Sequence, residues 1–124
     1  MSGNNLLLDT NVILYFLKGD QTLLPIFEEN NLLISIITEI ELLSFTELSE
    51  NELHEIKLFL DQCTSLNLTE NIKLKAIEVR KSCGLKIPDA IILASSLVMN
   101  SALLTADKDF KEIGTGNVIF FDSP

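Results

Sequence analysis

The residues of this chain with the clearest capacity for chemistry are acids. Asp9 interrupts the apolar run LLLDTNVILYFL, Glu41 lies in TEIELL, Asp89 in KIPDAIILAS, and Asp107 and Asp109 in LLTADKDF. An ionised carboxylate beside apolar surface is costly unless something pairs with it. Several carboxylates gathered in one place raise one another's pKa unless a cation sits among them. Mg²⁺ or Mn²⁺ meets that need, because a hard divalent ion takes oxygen ligands, keeps several waters and contacts phosphate oxygens. The chemistry such an ion offers is activation of its bound water. It requires no Ser-His-Asp set, no Gly-rich phosphate loop and no catalytic histidine, and the sequence offers none of them. The one histidine, His54, sits among Glu52, Glu55 and Lys57 and reads as a surface residue.

The acids acquire meaning from the elements that must hold them. Apolar runs with strand character occupy residues 6–8, 32–36, 65–68, 102–105 and 118–121, with helical periods between them. Residues 49–63 open on a Ser49-x-x-Glu52 capping box and carry an inner stripe of Leu53, Ile56, Phe59 and Leu60. Residues 69–82 form a second helix, with Thr69 as N-cap, Ile72, Ala76 and Val79 inward and Gly84 just past the end. A third starts at Pro88 and is apolar nearly all round, as a core helix must be. Strands alternating with helices imply an α/β class, a mostly parallel sheet in three layers, and residues 1–124 suit a single domain.

In such a sheet, sites form where the carboxyl ends of the strands open. Asp9 follows the first strand and Asp107 and Asp109 follow the strand 102–105. Asp89 occupies the second position of the buried helix, where the N-terminal dipole favours its ionised form. If residues 39–45 are helical, Glu41 lies between the directions of Ile37, Ile40, Ser44 and Phe45, and Glu39 points nearly the other way. Each acid also has a plain structural assignment: Asp9 as an N-cap, Asp89 as a first-turn acid, Asp107 or Asp109 as a turn residue. Their combination on one edge favours the metal.

Charge and composition narrow the setting. The net charge is −9, from 18 acidic and 9 basic residues, a total that argues against a polyanionic partner. The distribution is uneven. Lys73, Lys75, Arg80, Lys81 and Lys86 fall within 14 residues, against Glu78 alone, whereas residues 28–61 hold nine acids and only Lys57. The basic stretch marks where a polyanion can approach. No apolar run is long enough to span a bilayer, and MSGNNLLLD lacks a basic, then apolar export signal. Cys63 and Cys83 have no CxxC spacing and read as reduced thiols, which suits the cytoplasm.

DTNVIL, TEIELL, KIPDAIILAS and LLTADKDF, in that order and spacing, resemble the PIN-domain ribonucleases, most of all the small toxins of VapBC-type toxin–antitoxin pairs. The resemblance runs the whole chain. It implies that Asp9, Glu41, Asp89 and Asp107 form the catalytic, metal-binding quartet, with Thr10, Asn11, Thr105 and Asp109 as supports. It implies Mg²⁺ or Mn²⁺ as cofactor, RNA as substrate and an antitoxin protein as partner. Lys86, Arg80 and Lys81 are placed to guide RNA toward the acids. Between Asp107 and Asp109, the former is expected to hold metal, being nearer the strand end beside Thr105. Residues 12–17 offer apolar side chains on every face of a helix, which predicts a homodimer through that helix. The rivals are a phospho-acceptor receiver domain and a catalytically silent module of PIN shape. A receiver has a doubled acid after its first strand and an acceptor Asp after its third. Here the first joint has one acid, and Leu66, Asn67, Leu68 and Thr69 supply no Asp.

Overall fold

Successive side chains of a strand face opposite ways, so a strand covered on both faces must be apolar throughout. β1 (Asn5–Leu8) meets that condition: Leu6, Leu7 and Leu8 are all buried. The computed structural model describes residues 4–122. After β1 come α1 (Thr10–Leu17), a 3₁₀ turn (Gln21–Leu23), α2 (Leu24–Glu28), β2 (Asn31–Ser35), α3 (Ile36–Leu43) and α4 (Glu50–Asp61). Then follow β3 (Thr64–Leu66), α5 (Glu70–Cys83), α6 (Ile87–Val98), β4 (Ala102–Thr105), a second 3₁₀ turn (Lys108–Phe110) and β5 (Val118–Phe120).

The strand order is β3-β2-β1-β4-β5, and all four pairings are parallel. Leu6, Leu8, Ile34 and Leu104 face Val12, Ile13, Phe27, Ile56 and Phe59 of α1, α2 and α4. The alternate residues Leu7, Leu33 and Leu103 face Val79, Ala90, Ile92 and Leu93 of α5 and α6, with Phe110. Three layers result, helices on both faces of one sheet. This order also separates the chain from a receiver, whose doubly wound sheet runs 2-1-3-4-5.

Local signals explain the helix ends. Ser49 Oγ accepts the Glu52 N–H at 3.1 Å and Glu52 Oε1 accepts the Ser49 N–H at 3.0 Å, closing the expected capping box. Thr69 Oγ1 caps α5 by accepting from Ile72 N–H at 3.2 Å, and Gly84, at φ +70°, ends it in the left-handed region. α6 begins one residue before Pro88, so Asp89 is third in the helix rather than second.

Two expectations are narrowed. α1 has less free apolar surface than expected: Val12 and Ile13 are buried, Leu14, Phe16 and Leu17 pack on the same core, and Phe16 meets the rings of Phe27 at 4.9 Å and Phe59 at 5.8 Å, which leaves Tyr15, 37% exposed, on its outer side. The helices α2 and α4 supply the cover, which weakens the reason for pairing two chains through α1. Ile40 and Phe45, read as inward neighbours of Glu41, are 57% and 44% exposed. Ile37 does pack on the core, so Glu41 lies at the border of the buried face. Cys63 and Cys83 are free, and burial pushes the Cys63 thiol up to about 11, which leaves it protonated and unreactive. Among the described residues no helix is long and apolar enough to cross a membrane.

Candidate active site

The chain moves outward from β1 through β2 to β3, then β4 returns to the other side of β1. Such a reversal leaves a crevice at the carboxyl ends of the two central strands. Asp9 lies in it, its backbone N–H bonded to Leu104 O at 3.0 Å. Its side chain is only 5% exposed and fully engaged: Oδ1 accepts the Thr10 N–H at 2.8 Å and Oδ2 accepts the Thr105 hydroxyl at 2.7 Å. A capping side chain acts on the second or third helical N–H. Asp9 does occupy the N-cap position of α1, but its side chain reaches only the first helical N–H.

Threonines carry the arrangement outward on both sides. Thr105, fully buried, also accepts the Asp107 N–H at 3.0 Å, and Asp107 Oδ1 accepts the Asp109 N–H at 2.9 Å. Asp107 therefore closes a turn and faces the cleft as well. On the other side the Thr10 hydroxyl lies 2.7 Å from Glu41 Oε1 and 3.2 Å from Thr38 Oγ1. It has one proton, and the shorter bond to the carboxylate takes it. A continuous run of hydrogen bonds thus joins Glu41, Thr10, Asp9, Thr105, Asp107 and Asp109.

Asp9, Thr10, Asn11, Glu41, Asp89 and Asp107 line one open cleft of about 460 Å³, together with Leu14, Ser44 and Phe45. One carboxylate oxygen from each of Asp89, Asp107 and Asp109 lies within 4.8 Å of the others. The electrostatics follow from burial first and then from crowding without counter-charge. Burial raises the Asp9 pKa, the bonds from Thr105 and Thr10 oppose it, and the charges of Asp107 and Glu41 add to it. Burial, then the charges of Asp107, Asp9, Asp109 and Glu41, push Asp89 up to about 6. These rises occur although both acids stand at helix N-termini, where the dipole favours ionisation.

A family model of the PIN domain matches residues 6–116. The chain belongs to the PIN domain family. No curated protein sequence matches it. Among solved structures, this PIN domain is similar to a toxin–antitoxin complex from Klebsiella pneumoniae, at 27% identity and TM-score 0.78, over 91% of this chain and 94% of that one. VapBC-1 from nontypeable Haemophilus influenzae matches at 25% identity and TM-score 0.77, over 94% and 97%. DNA-bound VapBC from Salmonella typhimurium matches at 20% identity and TM-score 0.84, over 97% and 98%, a likeness of fold.

PIN nucleases generally use divalent metals, and the donor set here fits one: hard carboxylate oxygens, a three-acid cluster, and two acids whose raised pKa values a cation would reverse. The PIN cleft gathers all four acids of the expected quartet, and Asp109, which does not line it, clusters with Asp89 and Asp107 beside it. Glu39 turns away, its Oε1 accepting the Ser65 hydroxyl at 2.6 Å. Lys86, Arg80 and Lys81 are exposed, and none lines the cleft. Lys86 is the N-cap of α6, three residues before Asp89, while Arg80 borders a separate apolar hollow between α5 and α6. Sequence reading passed over Thr38 and took Ser44 and Phe45 as core-side neighbours of Glu41 rather than as cleft residues. Thr38 stands three residues before Glu41 on the same helix, a spacing that places both on one face and would have found it.

Proposed function

We propose that this PIN domain is a metal-dependent endoribonuclease, the toxin of a toxin–antitoxin pair, hydrolysing RNA phosphodiester bonds with Mg²⁺ or Mn²⁺. The observation that carries the reading is the convergence of Asp9, Glu41, Asp89 and Asp107 on one cleft at the β1/β4 crevice. With Asp109 at hand, these residues would hold the ion. When bound, the ion supplies Lewis-acid activation of water and stabilises charge on the phosphoryl oxygens. The chain's own part is positioning. Thr105 fixes Asp9, Thr10 fixes Glu41, and the buried Leu8 and Val12 on either side of Asp9 keep water from its inner face. Asp89 holds a proton below about pH 6 in the free protein, so ion and proton compete there.

The antitoxin partner is supported by the Klebsiella and Haemophilus relatives, which are toxin–antitoxin complexes. Self-association is supported by a different surface from α1: Leu68, Leu74, Ile77 and Ile87 are 49%, 54%, 49% and 58% exposed on α5, α6 and the loop before α5. A homodimer through that face would bury them, and Ile77→Asp would then yield monomers in sedimentation. The deciding experiment is an RNase assay of purified protein in Mn²⁺, Mg²⁺ or EDTA beside Asp9→Asn. The variant is expected to lose on the order of 10²–10⁴-fold in cleavage, the several kcal/mol a bound metal contributes. Cleavage that survives both EDTA and Asp9→Asn would dismiss the metal site.

A further inference from the structure

Phe45 is not part of the buried core. It follows Ser44, the C-cap of α3, is 44% exposed, belongs to none of the three core clusters and pairs with no other ring among the described residues. It nevertheless lines the acidic cleft, beside Leu14 and Asn11.

We propose that Phe45 is a stacking platform for the nucleobase next to the cleaved phosphodiester. The inference rests on the nuclease reading above. A polyanion gains little from this surface by charge alone, because the net charge is −9 and Arg80, Lys81 and Lys86 stand outside the cleft lining. A ligand held beside carboxylates needs uncharged contacts as well, and the face of a base on an aromatic ring is the one nucleic acids offer. Only a base freed from its own stack can reach such a ring, as in single strands, loops and ends. Asn11, exposed and lining the same cleft, offers an amide donor and acceptor for the edge of that base.

The test uses a single-stranded oligoribonucleotide carrying 2-aminopurine and its hairpin counterpart, with Ca²⁺ for binding and Mn²⁺ for turnover. Phe45→Ala is expected to raise Kd and KM for the single strand about 5- to 150-fold, the 1–3 kcal/mol of one stacked base, with kcat held within a few-fold. The same variant should abolish 2-aminopurine quenching. Phe45→Trp should keep binding and Phe45→Leu should behave as Ala does. The salt dependence of binding should be unchanged by Phe45→Ala, because no phosphate contact is lost. A Leu variant as good as wild type would reduce the ring to a plain apolar contact and overturn stacking. So would an Ala variant with unaltered KM, whether or not its sedimentation shifts; a shift would assign the ring to a protein interface. Wild-type protein that neither binds nor cuts the oligonucleotide in Mn²⁺ sinks the nuclease reading itself, a result separable from the others because no variant enters it.

Discussion

The two ends of the central sheet are opposites in chemistry. At the carboxyl ends of β1 and β4 the cleft is walled by Asp9, Glu41, Asp89 and Asp107. At the other end an open cleft of about 500 Å³ is walled by Asn4, Asn5, Asn100 and Asn117, with Met99 and Ala102. Amides and carboxylates differ little in shape and size. One end is therefore neutral, and at the other burial first, with the neighbouring negative charges adding to it, raises two carboxyl pKa values. The overall acidity of the chain does not account for this, since much of it, Glu50, Glu52, Glu55 and Asp61 of α4 among others, stands exposed to water and away from the cleft. Placement accounts for it. Where the chain reverses between β1 and β4, helix and loop starts converge, and each brings an acid.

The comparison is sharpest at Thr105; the buried hydroxyl at the amide end, Ser101, holds no carboxylate. The Thr105 hydroxyl holds Asp9 and accepts from Asp107, so a single oxygen orients two acids. Thr105→Val keeps the volume and removes both bonds. It is expected to weaken Mn²⁺ binding by about 10- to 100-fold, the usual cost of losing a partner behind a metal ligand. Thr105→Ser, which keeps the hydroxyl, should restore most of that affinity in calorimetry. Equal losses in both would reduce Thr105 to packing.

Next in size is the effect of discharging the cluster. Asp9→Asn keeps an acceptor for the Thr10 N–H and removes one charge from a repelling group. The variant should be more stable than wild type in EDTA. Wild type should regain about 1.4 kcal/mol at ten times its Kd for Mn²⁺, a gain the variant should largely lose. Thermal unfolding across a Mn²⁺ titration reads both. An Asn variant that is less stable in EDTA and responds equally to Mn²⁺ would make Asp9 a structural residue.

How far this was legible in the sequence depended on range. Asp9, Glu41, Asp89 and Asp107 could be placed because each follows a strand or opens a helix, and those boundaries are written locally: the capping box at Ser49, Thr69 before α5, Pro88 within the first turn of α6. What escaped depended on which element covers which. The apolar sides of α1 looked unpartnered because α2, five residues with Pro25 second, left little periodicity to read, yet its Phe27 seals them with Phe59. Ile40 and Phe45 looked inward because helical spacing gives a direction relative to neighbours, and cannot say that α3 lies at the border of the core. The pairing of Thr10 with Glu41 spans 31 residues, and no local pattern encodes it.

Acid strength gives a smaller and more diagnostic effect. The folded, metal-free protein holds the Asp89 proton more tightly than the unfolded chain, with a pKa of about 6 against the ordinary 3.8, and Asp9 is displaced the same way. The folded state therefore binds more protons across that window, and stability falls as pH rises through it. In EDTA the protein should be more stable at pH 5 than at pH 7 by on the order of 1 kcal/mol, since a tenfold change in proton affinity is worth about 1.4 kcal/mol and part is lost to solvent screening. Saturating Mn²⁺ should flatten or reverse the trend, because ion and proton compete for the same oxygens. Stability that climbs steadily from pH 5 to 7 in EDTA would contradict the crowding of these acids.

The smallest effect comes from trying to make the amide end resemble the acidic one. Asn4→Asp with Asn117→Asp puts two carboxylates around the cleft opposite the site. Both positions are exposed, so water can solvate the new charges, and stability should change by no more than about 0.5 kcal/mol. No Mn²⁺ response should appear beyond that of wild type, because the new carboxylates stand exposed to water and, among the described residues, the one buried hydroxyl at that end, Ser101, fixes no acid. The reading is a second Mn²⁺ transition in calorimetry, or its absence, with Asp9→Asn included to silence the native site. A new site of comparable affinity would mean that nearness of carboxylates suffices. Its absence would assign the difference between the two ends to the scaffold of Thr10, Thr38 and Thr105, which holds acids where solvent cannot relieve them.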